Sequence, residues 1–277
     1  MKNSIGIIGL GFVGGTLLKW FKKKKYPLYC YDKFKKIDSP EEILKAEIIF
    51  LCLPTPYRKN IGADLSAFKE NLEYFKNQKN KIFVIKSTVP PGTTENFQKQ
   101  YPQHKFLFNP EFLREKDPWG TFIKTDLQIV GYTQKSKNLA KKILNLLPQG
   151  KNFTGIMPAT EAEIIKFAVN SFLAMKVIFA NQIYELTKKI NANYEFVRQG
   201  LENESRLGKS HFNVFYENYR GFGGKCLPKD LLSFIELYKK LKLKAELFEV
   251  VWKTNFKYLK NQKLLKRLYQ DWLNNKS

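Results

Sequence analysis

The side chain with the most pointed chemistry is Cys226. It lies in Gly221-Phe-Gly-Gly-Lys-Cys-Leu-Pro-Lys-Asp230, a glycine-rich loop leading into a helical pattern. A thiol near a helix N-terminus, with Lys225 and Lys229 beside it, is set up for nucleophilic attack. Asp230 opposes the lysines and can hold a water or a lysine; local sequence alone leaves an ordinary loop cysteine as the other reading. Three more polar stretches share its unusual composition. Thr88, in Lys86-Ser-Thr-Val-Pro-Pro-Gly-Thr93, follows an apolar strand pattern and falls at the strand's carboxyl end, where open sheets bind ligands. Glu111, in Asn109-Pro-Glu-Phe-Leu-Arg-Glu115, also comes just after a strand. Lys166 and Asn170 are four residues apart in a long helical pattern, so they share one face.

A separate constellation suits a dinucleotide. Gly9-Leu-Gly11-Phe-Val-Gly14 joins a strand pattern to a helix pattern. Gly9 permits the tight turn, Gly11 lets backbone N–H groups approach a pyrophosphate, and Gly14 lets the helix pack close to the strand. Phe12 and Val13 then open a helix whose N-terminus faces negative charge. Asp32, 21 residues after Gly11, ends the second strand pattern, where a carboxylate accepts from a ribose hydroxyl. Its charge favours NAD over NADP, although Lys33, Lys35 and Lys36 weaken that preference.

These residues need elements to position them. Apolar runs at 4–9, 28–31, 48–53, 82–85, 105–108 and 127–131 read as strands, and 13–24 and 65–77 read as helices. Near-continuous apolar strands alternating with helices predict a parallel sheet covered on both faces. After Pro158 the period changes. Residues 161–190, free of Pro and Gly, predict one helix of about 30 residues, or ~45 Å. Further helices are expected over 194–202, 231–241 and 245–272. The predicted fold is therefore α/β: an N-terminal Rossmann-like doubly wound parallel sheet over residues 1–155, followed by an all-helical domain over 156–277 built on one long helix. Such a helix also suits a homodimer interface.

Composition bounds the possible classes. The chain has 277 residues, 43% of them hydrophobic, and a net charge of +23. It is long enough for one large or two ordinary domains and too apolar to be disordered throughout. No apolar run approaches the ~20 residues of a membrane span, and no signal-peptide pattern opens the chain, so a cytoplasmic location is expected. Cys30 and Cys52 lie in apolar runs and read as core; with no CxxC pairing and two distant histidines, neither a zinc site nor a disulfide framework is expected. The lysines are scattered rather than gathered into an arm, which favours a solvated basic surface over nucleic-acid binding.

Taken in order, these motifs resemble the UDP-glucose/GDP-mannose dehydrogenase family over residues 4–255. The resemblance includes Leu-Pro-Thr-Pro at 53–56, Glu-Ile-Ile-Lys-Phe-Ala-Val-Asn-Ser-Phe-Leu-Ala from Glu163, and Ser-Arg-Leu-Gly at 205–208. The last string places the chain nearer the UDP-glucose branch. The resemblance implies oxidation of a sugar's primary alcohol to a carboxylate with two NAD. Cys226 would capture the aldehyde as a thiohemiacetal that becomes a thioester. Lys166 and Asn170 would stabilise oxyanion charge, Asp230 would act with a water in proton transfer, Glu111 would assist hydrolysis, and Thr88 would position a water. Thr55, Thr88 and Lys229 would meet the cofactor. Phe112, Leu113, Arg114, Glu115, Phe222 and Gly223 would cradle the nucleotide sugar, and Arg206 would reach it across a dimer. Two departures stand out. The family's third, nucleotide-binding domain is not expected in this length, so either a separate chain supplies it, or affinity is weak, or the substrate differs. Residues 213–220 lack the usual Pro. A two-domain β-hydroxyacid-type dehydrogenase and a non-catalytic nucleotide-binding relic are the competing readings.

Overall fold

The computed structural model describes residues 2–215 and 217–273, with backbone alone over 270–273. The expected outer domain limits, 1 and 277, and Tyr216 of the 213–220 stretch lie outside them. The chain forms two compact units. One holds the residues up to Thr55 together with Asp64–Lys166; the other holds Pro56–Ala63 and the residues from Phe167 onward.

In the first unit the chain runs β1 (Ile5–Ile8), α1 (Phe12–Lys23), β2 (Leu28–Tyr31), α2 (Pro40–Ile43) and β3 (Ile48–Leu51). It then leaves for a short hairpin, β4 (Tyr57–Arg58) and β5 (Gly62–Ala63). On return it forms α3 (Ser66–Glu73), β6 (Ile82–Ile85), α4 (Thr93–Gln100), β7 (Lys105–Phe108), α5 (Pro118–Ile123), β8 (Leu127–Tyr132), α6 (Ala140–Asn145) and β9 (Phe153–Pro158). The sheet order is β2-β1-β3-β6-β7-β8-β9. Apolar alternation explains why both faces are covered. Ile8, Ile49, Leu51, Phe83 and Ile85 point into one core cluster, whereas Ile7, Ile48, Phe50, Ile82 and Val84 point into the other.

Three expectations need correction. The sheet is not wholly parallel, because β7 and β8 pair antiparallel. It has a seventh strand, β9, parallel to β8. Its residues are mostly exposed and include Gly155 and Pro158, so no apolar run announced it. The expected limit at 155 falls inside β9, and the first unit continues to Lys166.

The second unit is helical apart from its hairpin. α7 (Ala159–Lys189) is one helix of 31 residues that begins in the first unit. It is followed by α8 (Tyr194–Asn203), α9 (Leu227–Lys240), α10 (Glu246–Asn261) and α11 (Leu265–Leu273). Ala174 and Ile178 of α7 pack with Leu231 and Ile235 of α9, Val251 of α10 and Tyr57 of β4. The helix expected over 245–272 is broken between α10 and α11, where Lys263 adopts φ 59°. α9 starts four residues earlier than expected, which makes Cys226 its N-cap.

Candidate active site

The glycine turn has the geometry a dinucleotide needs. Gly9 has φ +86°, and a Cβ there would lie 2.4 Å from the Cys52 carbonyl oxygen. A Cβ on Gly14 would lie 1.9 Å from the Gly9 oxygen, so only glycine lets α1 pack this close. A Cβ on Gly11 meets nothing within 4 Å, and no side chain caps α1, whose first residues are Phe12 and Val13. That open space at a helix N-terminus fits a pyrophosphate. Asp32 is buried at the end of β2, and its carboxylate accepts from the N–H groups of Leu10 (2.6 Å), Lys35 (2.9 Å) and Phe34 (3.0 Å). Burial pushes its carboxyl upward, but these donors and the Lys35 ammonium outweigh it and hold the group below its ordinary range. Two neighbouring lysines are engaged elsewhere: Lys35 Nζ donates to the Leu10 carbonyl at 2.6 Å and Lys33 pairs with Glu70 at 2.6 Å. The Glu70 pairing leaves Lys33 less able to offset Asp32, which favours NAD.

The rest of the first unit's site is a buried polar chain. Thr55 donates to the Thr88 carbonyl at 2.9 Å, tying together the loops after β3 and β6. Lys86, at the end of β6, donates to Asn109 Oδ1 at 2.6 Å, and Asn109 donates to Gln128 and to the Ile129 carbonyl. Burial lowers the Lys86 ammonium to about 8 and raises the Cys52 thiol to about 12. Lys166 is buried; its ammonium donates to the Glu111 carbonyl at 2.6 Å and to Glu111 Oε1 at 3.2 Å, and it lies 5.2 Å from the Phe112 ring centroid. Glu111 Oε2 accepts from the Leu113 N–H at 2.8 Å. Burial drives the Glu111 carboxyl up, but Lys166, that N–H and Lys86 reverse this and hold it below its usual range. Arg114 and Glu115 are exposed.

Glu163 is the residue that sequence reasoning left without a role. It is fully buried on α7, and it accepts from Gly92 N (2.6 Å), Thr94 N (2.9 Å) and Thr94 Oγ1 (2.6 Å). It therefore caps α4 and fixes the Val-Pro-Pro-Gly turn that follows Thr88. The available signal was negative: α4 begins at a glycine N-cap with φ 90°, so its N–H groups need an acceptor from elsewhere.

In the second unit, Asn170 donates to Asp230 Oδ2 at 2.5 Å, and Lys229 pairs with Asp230 Oδ1. Asp230 is buried in the first turn of α9 and its N–H bonds the Cys226 carbonyl at 2.9 Å. Cys226 is exposed at the N-cap. Phe222 is buried in the loop before it, and a Cβ on Gly223 would lie 2.5 Å from the Tyr219 hydroxyl. Arg206 is exposed and pairs with Glu204 at 2.9 Å. Lys166 and Asn170 occupy successive turns of α7.

Comparisons with known proteins agree with this fold. Residues 32–147 match the sequence profile of the UDP-glucose/GDP-mannose dehydrogenase family, NAD binding domain, and residues 160–257 match that of the central domain. A UDP-glucose 6-dehydrogenase of Rickettsia felis is 34% identical over 231 residues, 80% of this chain and 50% of the relative. UDP-glucose 6-dehydrogenase TuaD of Bacillus subtilis is 32% identical over 79% of this chain and 48% of its own length. The chain thus spans about half the length of these relatives. The solved UDP-glucose dehydrogenase of Pyrobaculum islandicum superposes with a TM-score of 0.82 at 25% identity, covering 96% of this chain and 71% of that one. A 3-hydroxyisobutyrate dehydrogenase of Mycobacterium tuberculosis shares the fold at 15% identity and TM-score 0.73, covering 94% and 95%. With both profiles matched in order, Asp32 opening the first and the glycine turn in place ahead of it, the chain belongs to the UDP-glucose/GDP-mannose dehydrogenase family and carries its NAD-binding and central domains.

Proposed function

We propose that the chain acts in a nucleotide-sugar 6-dehydrogenase that converts the 6-hydroxymethyl group of UDP-glucose to the carboxylate of UDP-glucuronate. One observation carries the reading: an exposed thiol at the N-cap of α9 stands one turn from Asp230, which Asn170 holds. NAD, when bound at the glycine turn, supplies the hydride acceptor for both oxidations, alcohol to aldehyde and thiohemiacetal to thioester. Cys226 forms a C–S bond to the aldehyde carbon, which keeps a reactive intermediate from escaping. Lys166, oriented by Glu111, and Asn170 stabilise the charge on the former carbonyl oxygen. Asp230, paired with Lys229, takes and returns protons through a water. Water then cleaves the C–S bond, releasing the carboxylate and regenerating the thiol, with Glu111 assisting and Thr88 placing that water.

The test is stoichiometry with UDP-glucose. The wild-type chain is expected to make two NADH per sugar, and Cys226→Ser to lose at least about 10³-fold in that turnover. A serine variant with wild-type turnover to two NADH overturns the reading. The full-length match to the 3-hydroxyisobutyrate dehydrogenase fold supports a second reading, a two-domain β-hydroxyacid dehydrogenase, for which one NADH from a small acid is the signature. Phe172, Phe179 and Leu186 are each about half exposed at seven-residue intervals on α7, which supports a homodimer through that helix.

A further inference from the structure

Residues 220–226, which lead to Cys226, form no helix or strand. Their backbone is gripped by two side-chain amides. Asn255 Oδ1 accepts from the Phe222 N–H at 2.7 Å, and Asn255 Nδ2 donates to the Phe222 carbonyl at 2.9 Å. Gln262 repeats the pattern two residues earlier: its Oε1 accepts from the Arg220 N–H at 2.9 Å, and its Nε2 donates to the Arg220 carbonyl at 3.0 Å. Asn255 lies in α10 and Gln262 is that helix's C-cap, seven residues or two turns later, so both amides lie on one face. The arrangement substitutes for a partner strand, each amide satisfying both backbone groups of one residue.

Neighbouring groups are shaped around these bonds. Gly221, between the two gripped residues, has φ +87°, and a Cβ there would lie 2.6 Å from Asn255 Oδ1. The Tyr269 hydroxyl of α11 donates to the Phe222 carbonyl at 3.0 Å. Arg220 is further tied to Asn181 Oδ1 at 3.0 Å and Glu185 Oε1 at 2.9 Å on α7. The anchored residues stop four short of the thiol, and the N–H of Asp230 closes the first turn of α9 on the Cys226 carbonyl.

We propose that Asn255 and Gln262 are positioning residues for Cys226, two carboxamides at the end of α10 that clamp the backbone of Phe222 and Arg220 and so fix the loop presenting the thiol. The inference deepens the reading of Cys226 as the nucleophile and rests on it. Its physical basis is that a buried backbone group deprived of its partner is costly, so the loop should open when an amide is removed.

The experiment uses the full chain with Asn255→Ala, Asn255→Asp and Gln262→Ala. It measures amide hydrogen exchange at residues 220–223, the rate of Cys226 alkylation by iodoacetamide, NAD affinity, and kcat and KM with UDP-glucose. Each alanine variant should speed exchange of the amide it releases by about tenfold and change the Cys226 alkylation rate at least about threefold. kcat should fall about tenfold while NAD affinity stays at the wild-type value. Asn255→Asp keeps the acceptor for the Phe222 N–H and should recover part of the loss. Should Asn255→Ala fail to fold, Asn255→Asp and the half-exposed Gln262 still decide the matter. Wild-type exchange and alkylation in folded variants overturn the proposal, as does faster exchange with unchanged kcat. Exchange and alkylation need no sugar, so a wild-type chain inactive on every UDP-sugar sinks the reading of the reaction and leaves the clamp to be judged by those two measurements.

Discussion

Two carboxylates on or beside α7, Glu163 buried and Glu111 part-buried, show how environment divides residues of the same kind. Glu111 has a cation within reach and is held below its usual range, whereas Glu163 has donors but no ion-pair partner among the described residues, and burial raises it to about 7. The consequence for Glu163 has a definite sign. An acid whose native value lies above its ordinary 4.5 binds more protons in the folded state between the two values. Its contribution to stability therefore falls as pH rises from about 4.5 to about 7, then levels off. Glu163→Gln is expected to flatten the slope of Tm against pH across that window, by the equivalent of about 2–3 kcal/mol. A thermal melt series from pH 5 to pH 8, ~0.5 unit apart, reads this directly. An unchanged slope would mean another group sets it. The candidate reactive residues could be named because their motifs are local in sequence. Glu163 falls within a motif, yet its task is invisible there, because the N–H groups it caps belong to residues 69 and 71 positions away.

Among the elements, legibility tracked burial. β1, β3 and β6 are fully buried runs of four and stood out, whereas exposed β9 and the two-residue strands β4 and β5 carry no period to read. Nor could the amides of Asn255 and Gln262 be matched to their targets, 33 and 42 residues away, from any spacing rule. The strand-turn-helix unit β1–α1 allows a contrast between two glycines of one motif. Gly11→Ala adds a methyl into open space, so Tm should stay within about 1–2 °C while NAD affinity falls about tenfold or more, because the methyl occupies pyrophosphate space. Gly14→Ala drives a Cβ into the Gly9 carbonyl and should destabilise the fold by about 2–4 kcal/mol as α1 moves outward. Calorimetry with NAD titration separates the two. Equal effects of both substitutions on Tm would contradict the assignment of Gly11 to ligand approach.

At the scale of the whole molecule, a net charge of +23 makes self-association work against repulsion, so a dimer through α7 needs its apolar stripe. Sedimentation of the wild-type chain at ~0.15 M salt should show a dimer that strengthens with added salt. Phe179→Glu, at the middle of Phe172, Phe179 and Leu186, should return it to a monomer with its fold intact. A wild-type monomer at high protein concentration would remove the stripe's proposed role. No described helix is long and apolar enough to cross a membrane. The hairpin β4–β5 has a further consequence, in the order in which the chain is made. Tyr57 donates to Glu236 at 3.3 Å and Lys240 donates to the Ile61 carbonyl at 2.7 Å, each contact joining residues 179 positions apart. At common rates of synthesis the hairpin waits on the order of 10–40 s for α9 to emerge. During that interval the strands that precede and follow it in sequence can complete their sheet, but the hairpin's own docking face stays wet, leaving an opening for chaperones or proteases midway through translation.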